Sequence, residues 1–426
     1  MRKVKSVLAL VLVIMLVFLS GCGSGGSQSA SGGSQSASGG GETLKIGAIY
    51  PFTGGAALLG DESFRGAELA VKLRNQKGGV AGGKKIELSK ADSPDANAAQ
   101  SQANRLISQE NIQLIIGSYS SALSMAASEV AERNGVVYWE LGAISDPITD
   151  RGYKYVFRTN PTSSQFAQSE IGFIKEVVPA KLGKNLTDLK IALVHEDSLY
   201  GTTVAGFIEK YAKEEKLNVV TNQAYNMNSV DLSSVILNLK KAQPDVVIAV
   251  SYLNDAILLT RQSKELGFDV PVFIGSGGGH TMTDFQKALG ADANGILNAD
   301  FPQYEINKSF TPGLDEFVKL YQDTYGTAPR SGHSVTNFMG MNVLLNIIDQ
   351  VGSLDPDKIQ AAARSYKLEP GKSETGWGVE FNDKGQNKLG KAYVTQWTDG
   401  KLVTVWPKEA AVQEPKLPLL KWSERK

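Results

Sequence analysis

Ile112-Gln113-Leu114-Ile115-Ile116-Gly117-Ser118-Tyr119-Ser120-Ser121 joins a short apolar run to a glycine, and two serines then open a segment of helical character reaching Asn134. The isoleucine-rich run reads as a strand of a parallel sheet buried on both faces, turning through Gly117 into a helix. The first turn of such a helix carries unpaired N–H groups and a partial positive charge, which suits a carboxylate or a phosphate. Two readings of Ser120 and Ser121 stand side by side. Their hydroxyls either donate to that anion or cap their own helix.

Working outward, strand and helix signals alternate. Before the stretch come a strand at Leu44 to Tyr50, a helix capped by Asp61 and running to about Gln76, a strand at Lys84 to Ala91 and a helix at Asp95 to Gln109. After it come strands at Val136 to Trp139 and Tyr155 to Arg158. Asn160-Pro161 breaks the series and a second one begins. Its strands are Lys190 to His195, Val219-Val220, Val246 to Val250, Val272 to Ile274 and Ile296 to Ala299, with helices between them. Repeated β-α units of this kind imply parallel sheets covered on both faces, which meet ligands at the carboxyl ends of their strands. Helices at 310–325, 334–351 and 356–365 lack strand partners and are expected back on the first lobe. Strand-like runs from Gly378 to Trp406 are joined by turn signals at Asn382-Asp383-Lys384-Gly385 and Asp399-Gly400. A chain of 426 residues exceeds one ordinary core. The expected organisation is 43–161 plus 301–377 as lobe 1, 162–300 plus 378–410 as lobe 2, and 411–426 as a tail.

Lys+Arg and Asp+Glu both number 44, with no block of like charge, so nucleic acid is not an expected partner. Arg2, Lys3 and Lys5 precede an apolar run from Val7 to Leu19, a signal peptide over residues 1–21. Leu19-Ser20-Gly21-Cys22 resembles the lipobox of bacterial lipoproteins, which implies cleavage before Cys22 and a lipid on its thiol. Cys22 is the sole cysteine, so an internal disulfide is excluded. The Gly/Ser-rich repeats that complete residues 22–42 form a flexible tether, with ends roughly 25 Å apart on average. The expected location is a cell-membrane lipoprotein facing the outside or the periplasm.

Enzyme signatures are thin. His195, His280 and His333 are far apart and lack metal-ligand spacing. No nucleophile elbow is found, and the first strand turns through Pro51-Phe52-Thr53-Gly54 rather than a dinucleotide fingerprint. The run Gly275 to Gly279 lacks the lysine and hydroxyl of a phosphate loop. The reading is a binding module that needs neither cofactor nor metal.

In order and spacing, several further segments resemble the type I periplasmic binding proteins of ABC importers, in the branched-chain amino acid (Leu/Ile/Val) receptor family. They are Ile46 to Gly54, Gly66 to Val71, Ile116 to Ser121, Tyr155 to Thr159, Tyr200-Gly201, Pro244 to Val247, Arg261-Gln262 and Tyr325 to Pro329. The resemblance implies two Rossmann-like lobes with parallel sheets, joined by a three-crossing hinge and closing on a ligand in the cleft. It also implies ABC permease and ATPase subunits as partners and an amino acid or related carboxylate as ligand. Ser121 falls on the family's carboxylate-binding serine, with Tyr119 and Ser120 on the same wall. The next loop falls on Gly142 and Ile144, where a family hydroxyl is missing and Ser145 follows. Tyr200 and Tyr252 match two tyrosines across the cleft, although both also fit a core position with a wet hydroxyl. Leu59 replaces an aromatic wall residue. Gly277 stands where the amino acid receptors carry a glutamate for the ligand amine. Either the ligand lacks an amine or another acid serves, and Glu140 is expected in that role ahead of Asp146, with hinge pairing to an arginine as the other reading. A receptor for an organic or aromatic acid, or a sensor signalling through a partner, are the alternatives.

Overall fold

Two parallel-stranded sheets organise the protein, seen in a computed structural model that describes residues 43–425. The expected signal peptide, the lipidated Cys22, the tether and the final Lys426 lie outside the described residues. The first sheet is built by β1 (Thr43–Tyr50), α1 (Ala57–Gln76), β2 (Lys85–Asp92), α2 (Ala96–Glu110), β3 (Leu114–Gly117), α3 (Ser121–Arg133), β4 (Val137–Glu140), α4 (Pro147–Asp150) and β5 (Val156–Arg158). Its order is β2-β1-β3-β4-β5, and every pairing is parallel. All four residues of β3 are buried, as a central strand covered on both faces requires.

The second sheet draws on α5 (Ser163–Leu182), β6 (Lys190–Glu196), α6 (Leu199–Glu214), β7 (Asn218–Tyr225), α7 (Ser233–Ala242), β8 (Val246–Val250), α8 (Leu253–Glu265), β9 (Val272–Ser276), α9 (Thr283–Leu289) and β10 (Leu297–Asp300). After α10 (Leu314–Tyr325), α11 (His333–Val351), α12 (Pro356–Ser365), β11 (Lys367–Leu368) and β12 (Val379–Glu380), the chain returns with β13 (Tyr393–Thr398) and β14 (Lys401–Trp406). The order is β14-β13-β10-β9-β8-β6-β7, with only β13 running against the others. Strand β7 runs eight residues where the sequence marked two, because its partly exposed edge lacks a continuous apolar run.

Helix α11 lies against α1 of the first sheet. Their approach is so close that a Cβ on Gly66 would sit 1.9 Å from the Ser334 carbonyl oxygen. Buried Glu62 ties the same region together, accepting from Ser334 Oγ at 2.6 Å, Tyr321 Oη at 2.7 Å and Arg330 N at 2.9 Å. Asp61 does not cap α1. The helix begins four residues earlier, at Ala57, and Asp61 pairs with Arg65 at 2.8 Å inside it.

The chain passes between the two sheets after β5, after β10 and before β13. The first and last passes run side by side. Gln386 Nε2 donates to Asn160 O at 2.9 Å, and Asn387 Nδ2 donates to Thr159 O at 2.8 Å. Arg158 is buried there and donates to Gln386 Oε1 at 2.6 Å.

Candidate functional site

A cavity of ≈ 20 Å³ lies where carboxyl ends of strands from both sheets converge. Tyr119 and Ser121 follow β3, and Gly142 and Ile144 follow β4. From the opposite side come Tyr200 after β6, Tyr252 after β8, Gly277 and Gly278 after β9, and Asp300 and Phe301 at the end of β10. Phe166 of α5 and His333 at the start of α11 complete the lining. In this closed form the space is about that of one water, so a ligand is admitted only when the walls move apart.

Six rings form a connected wall. Centroid separations are 5.2 Å for Tyr200–Tyr252, 5.8 Å for Tyr252–Tyr119 and 5.3 Å for Tyr119–His333. The chain continues with 4.8 Å for His333–Phe301 and 5.6 Å for Phe301–Phe166. The cleft is closed, since Ser120 Oγ lies 3.5 Å from Tyr252 Oη and Ser145 Oγ donates to Leu199 O at 3.1 Å. Ser120 and Ser145 therefore bridge the two sides but do not line the cavity.

Neither serine caps α3. Ser120 occupies the N-cap position without a side-chain cap bond, and Ser121 Oγ accepts from Ser145 N at 3.3 Å. Ser121 thus brings a hydroxyl to the wall at a helix start, where N–H groups and dipole favour an anion.

Glu140 sits underneath this wall, outside it. Its Oε1 accepts from the N–H groups of Leu141, Gly142 and Ala143 at 3.0, 2.8 and 2.7 Å, and Oε2 accepts from Ser118 N at 3.3 Å. Burial pushes its carboxyl up to about 7, and the surrounding donors and Arg158 only partly offset that. Arg158 holds the same loop by its carbonyls, donating to Ala143 O at 3.0 Å and Ser145 O at 2.8 Å. The expected contact of Glu140 with a ligand amine is corrected on this geometry, because the carboxylate is spent on its own loop. Asp146 is likewise occupied, accepting from Ser164 N at 3.0 Å and Ser164 Oγ at 2.5 Å. Leu59 is buried in an apolar cluster with Tyr119 and does not reach the lining.

Tyr200 donates to Ser276 O at 2.5 Å, and its hydroxyl lies 2.1 Å from the place a Cβ would take on Gly277. With φ at +70° there as well, a side chain at 277 collides with Tyr200 and strains the backbone. The glycine follows from the tyrosine.

Sequence reading missed Phe166, Gly278, Asp300, Phe301 and His333. Asp300 was within reach, because it is the first residue after the run read as a strand at Ile296 to Ala299. His333 arrives only through the packing of α11. Burial drives its ring down to about 3, so it is neutral at ordinary pH. Among the described residues, no helix is long and apolar enough to cross a membrane, and no group of three or more His, Cys, Asp or Glu could hold a metal ion.

Comparison with known proteins bears on this geometry. The chain is 46% identical over 376 residues to the Leu/Ile/Val-binding protein homolog 7 of Brucella suis biovar 1 (strain 1330), covering 88% of this chain and 94% of that one. Its fold is shared with a leucine-binding protein of Thermotoga maritima MSB8, at a TM-score of 0.75 and 22% identity over 85% of this chain and 98% of that one. It is shared too with a solute-binding protein of an ABC transporter from Rhodopseudomonas palustris BisB5, solved with 3,4-dihydroxybenzoic acid. That match has a TM-score of 0.72 and 24% identity, over 88% of this chain and 99% of that one. The periplasmic binding protein family model matches residues 43–401. With two sheets meeting at a closed cleft and relatives of this identity, the chain belongs to the type I periplasmic binding proteins of the Leu/Ile/Val-binding family.

Proposed function

We propose that the protein is the substrate-binding component of an ABC importer and captures a small carboxylate-bearing ligand, an amino acid first of all, between its two lobes. The observation that carries this is Ser121 at the start of α3, facing a cavity whose walls come from both sheets. Helix N–H groups and the Ser121 hydroxyl receive the carboxylate, the loop at Gly142 and Ile144 shapes the wall beside it, and the aromatic wall covers the rest of the ligand. The Leu/Ile/Val-binding names of the relatives support an amino acid. Lobe closure then presents the loaded form to a permease and its ATPase. A lipid on Cys22 and the tether hold the domain at the membrane.

A second reading, an organic or aromatic acid, is favoured by Gly277 and by the dihydroxybenzoate complex of the Rhodopseudomonas protein. Titration calorimetry with amino acids and with organic acids separates the two. Tight binding of a carboxylate-bearing ligand, accompanied by a smaller radius of gyration in scattering, is expected. Failure of every carboxylate to bind contradicts the proposal. Fractionation of Cys22→Ala tests the anchor: release from the membrane fraction is expected, and retention as acylated protein excludes it.

A further inference from the structure

We infer that Asp300 is the residue that receives the positive charge of the ligand, so that the cavity is built for a small molecule bearing both a carboxylate and a protonated amine. The inference rests on the carboxylate reading of the Ser121 wall and deepens it. Asp300 is the single acid among the lining residues, and no lysine or arginine accompanies it there. It is fully buried. Its Oδ2 accepts from Thr281 Oγ1 at 2.6 Å, whereas Oδ1 is buried with no hydrogen-bond partner.

A buried carboxylate oxygen without a donor is costly, and where it belongs to a cavity-lining side chain a ligand group is a partner that can complete it. The contrast with Glu140, which accepts four backbone N–H groups, is direct. The lining strengthens the case, since Tyr119, Tyr200, Tyr252 and Phe301 surround the cavity and aromatic rings attract a cation. His333 is neutral and does not compete.

Position supports the same assignment. In the register of β9 and β10, Ser276 lies beside Ala299, so Gly277 and Asp300 emerge next to each other at the strand ends. Gly277 N donates to Ala299 O at 2.8 Å, which fixes that neighbourhood. A side chain at 277 is blocked by Tyr200, and the acid stands one strand over.

Burial holds the Asp300 carboxyl up to about 7, with the Thr281 hydroxyl and the Phe301 N–H pulling it back only in part. At neutral pH it is therefore partly protonated. Binding an ammonium ionises it and releases a proton. Binding a carboxylate without an amine places a second negative charge in the cavity, so Asp300 takes up a proton instead.

The experiment pairs each amino acid with its des-amino acid: L-alanine with propionate, L-valine with 3-methylbutyrate, L-leucine with 4-methylpentanoate and L-phenylalanine with 3-phenylpropionate. Calorimetry of the purified protein at pH 7, in two buffers of different ionisation enthalpy, reads affinity and proton flux together. At least one amino acid is expected to bind with proton release and to outcompete its partner. Asp300→Asn should weaken that amino acid at least about thirtyfold and abolish the release, while sparing the des-amino acid.

An affinity for the amino acid within threefold of the unmodified protein overturns the assignment. Binding of des-amino acids alone, with proton uptake, also overturns it but leaves the carboxylate reading standing. Failure of all eight compounds to bind removes both. If Asp300→Asn does not fold, the proton flux of the unmodified protein decides: release supports the assignment, and uptake or no change overturns it.

Discussion

The two buried acids near the cleft, Glu140 and Asp300, differ in what their oxygens meet. Glu140 is saturated by the N–H groups of the loop it supports. Asp300 keeps one oxygen unpartnered in the cavity wall. The difference separates a carboxylate that builds a site from one that faces the ligand. Burial raises both to about 7, so acidity alone would not tell them apart. Hydrogen-bond saturation does.

The same contrast divides the walls. The Ser121 side is held from below: Glu140 takes the N–H groups of residues 141–143, and Arg158 takes the carbonyls of Ala143 and Ser145. Such a loop holds its part of the wall at a fixed position and loses little entropy on binding. The Asp300 side carries the open valence and most of the rings.

The largest effect expected from this comparison is on stability. Glu140→Ala leaves three loop N–H groups without an acceptor and takes one of the nearby anions from buried Arg158, which costs about 3–5 kcal/mol in denaturant melts. Whatever affinity survives should fall alike for an amino acid and its des-amino acid. A loss confined to the amino acid would return Glu140 to the ligand.

Next is the pH dependence of Asp300. Its carboxyl is raised from 3.8 unfolded to about 7 folded. The folded state therefore binds the extra proton between these values, and this group's contribution is complete below about pH 4 and lost as pH rises through 7. Asp300→Asn should match the unmodified ligand-free protein near pH 4 and exceed it at pH 8, by up to about 4 kcal/mol. Glu140, Asp255 and Glu170 are also raised by burial, to about 7, 7 and 8, so the difference between the two proteins is the informative quantity. Equal pH profiles would mean that Asp300 is well solvated or otherwise paired.

Ser121→Ala is the mildest. It removes one hydroxyl from a charged ligand group, about 1.5–3 kcal/mol or roughly ten- to a hundredfold in affinity, with melting nearly unchanged. Both members of an amino acid and des-amino acid pair should weaken together. Selective loss of the amino acid would place the amine, not the carboxylate, on α3.

Much of this fold was legible because buried parallel strands announce themselves. Ile115-Ile116 and Val246 to Val250 are continuous apolar runs; the turn after the first pointed to Ser121, and the family resemblance supplied Gly142, Tyr200, Tyr252 and Gly277. Asp300 lies just after such a run too, but a lone acid at a strand end carries no pattern that separates it from a structural one. Glu140 was misread because a carboxylate at a strand end can turn back onto the next three N–H groups, a local choice that residue order does not reveal. His333 and Phe166 could not be reached from periodicity. One sits on a helix that returns from the far end of the chain, the other on the first helix after a pass between sheets.

The most direct test is the chemical identity of the ligand itself. Mass spectrometry of the small molecule released from protein purified without denaturation should find a compound carrying both a carboxylate and an amine that is protonated at neutral pH. An organic acid without such an amine would contradict the account.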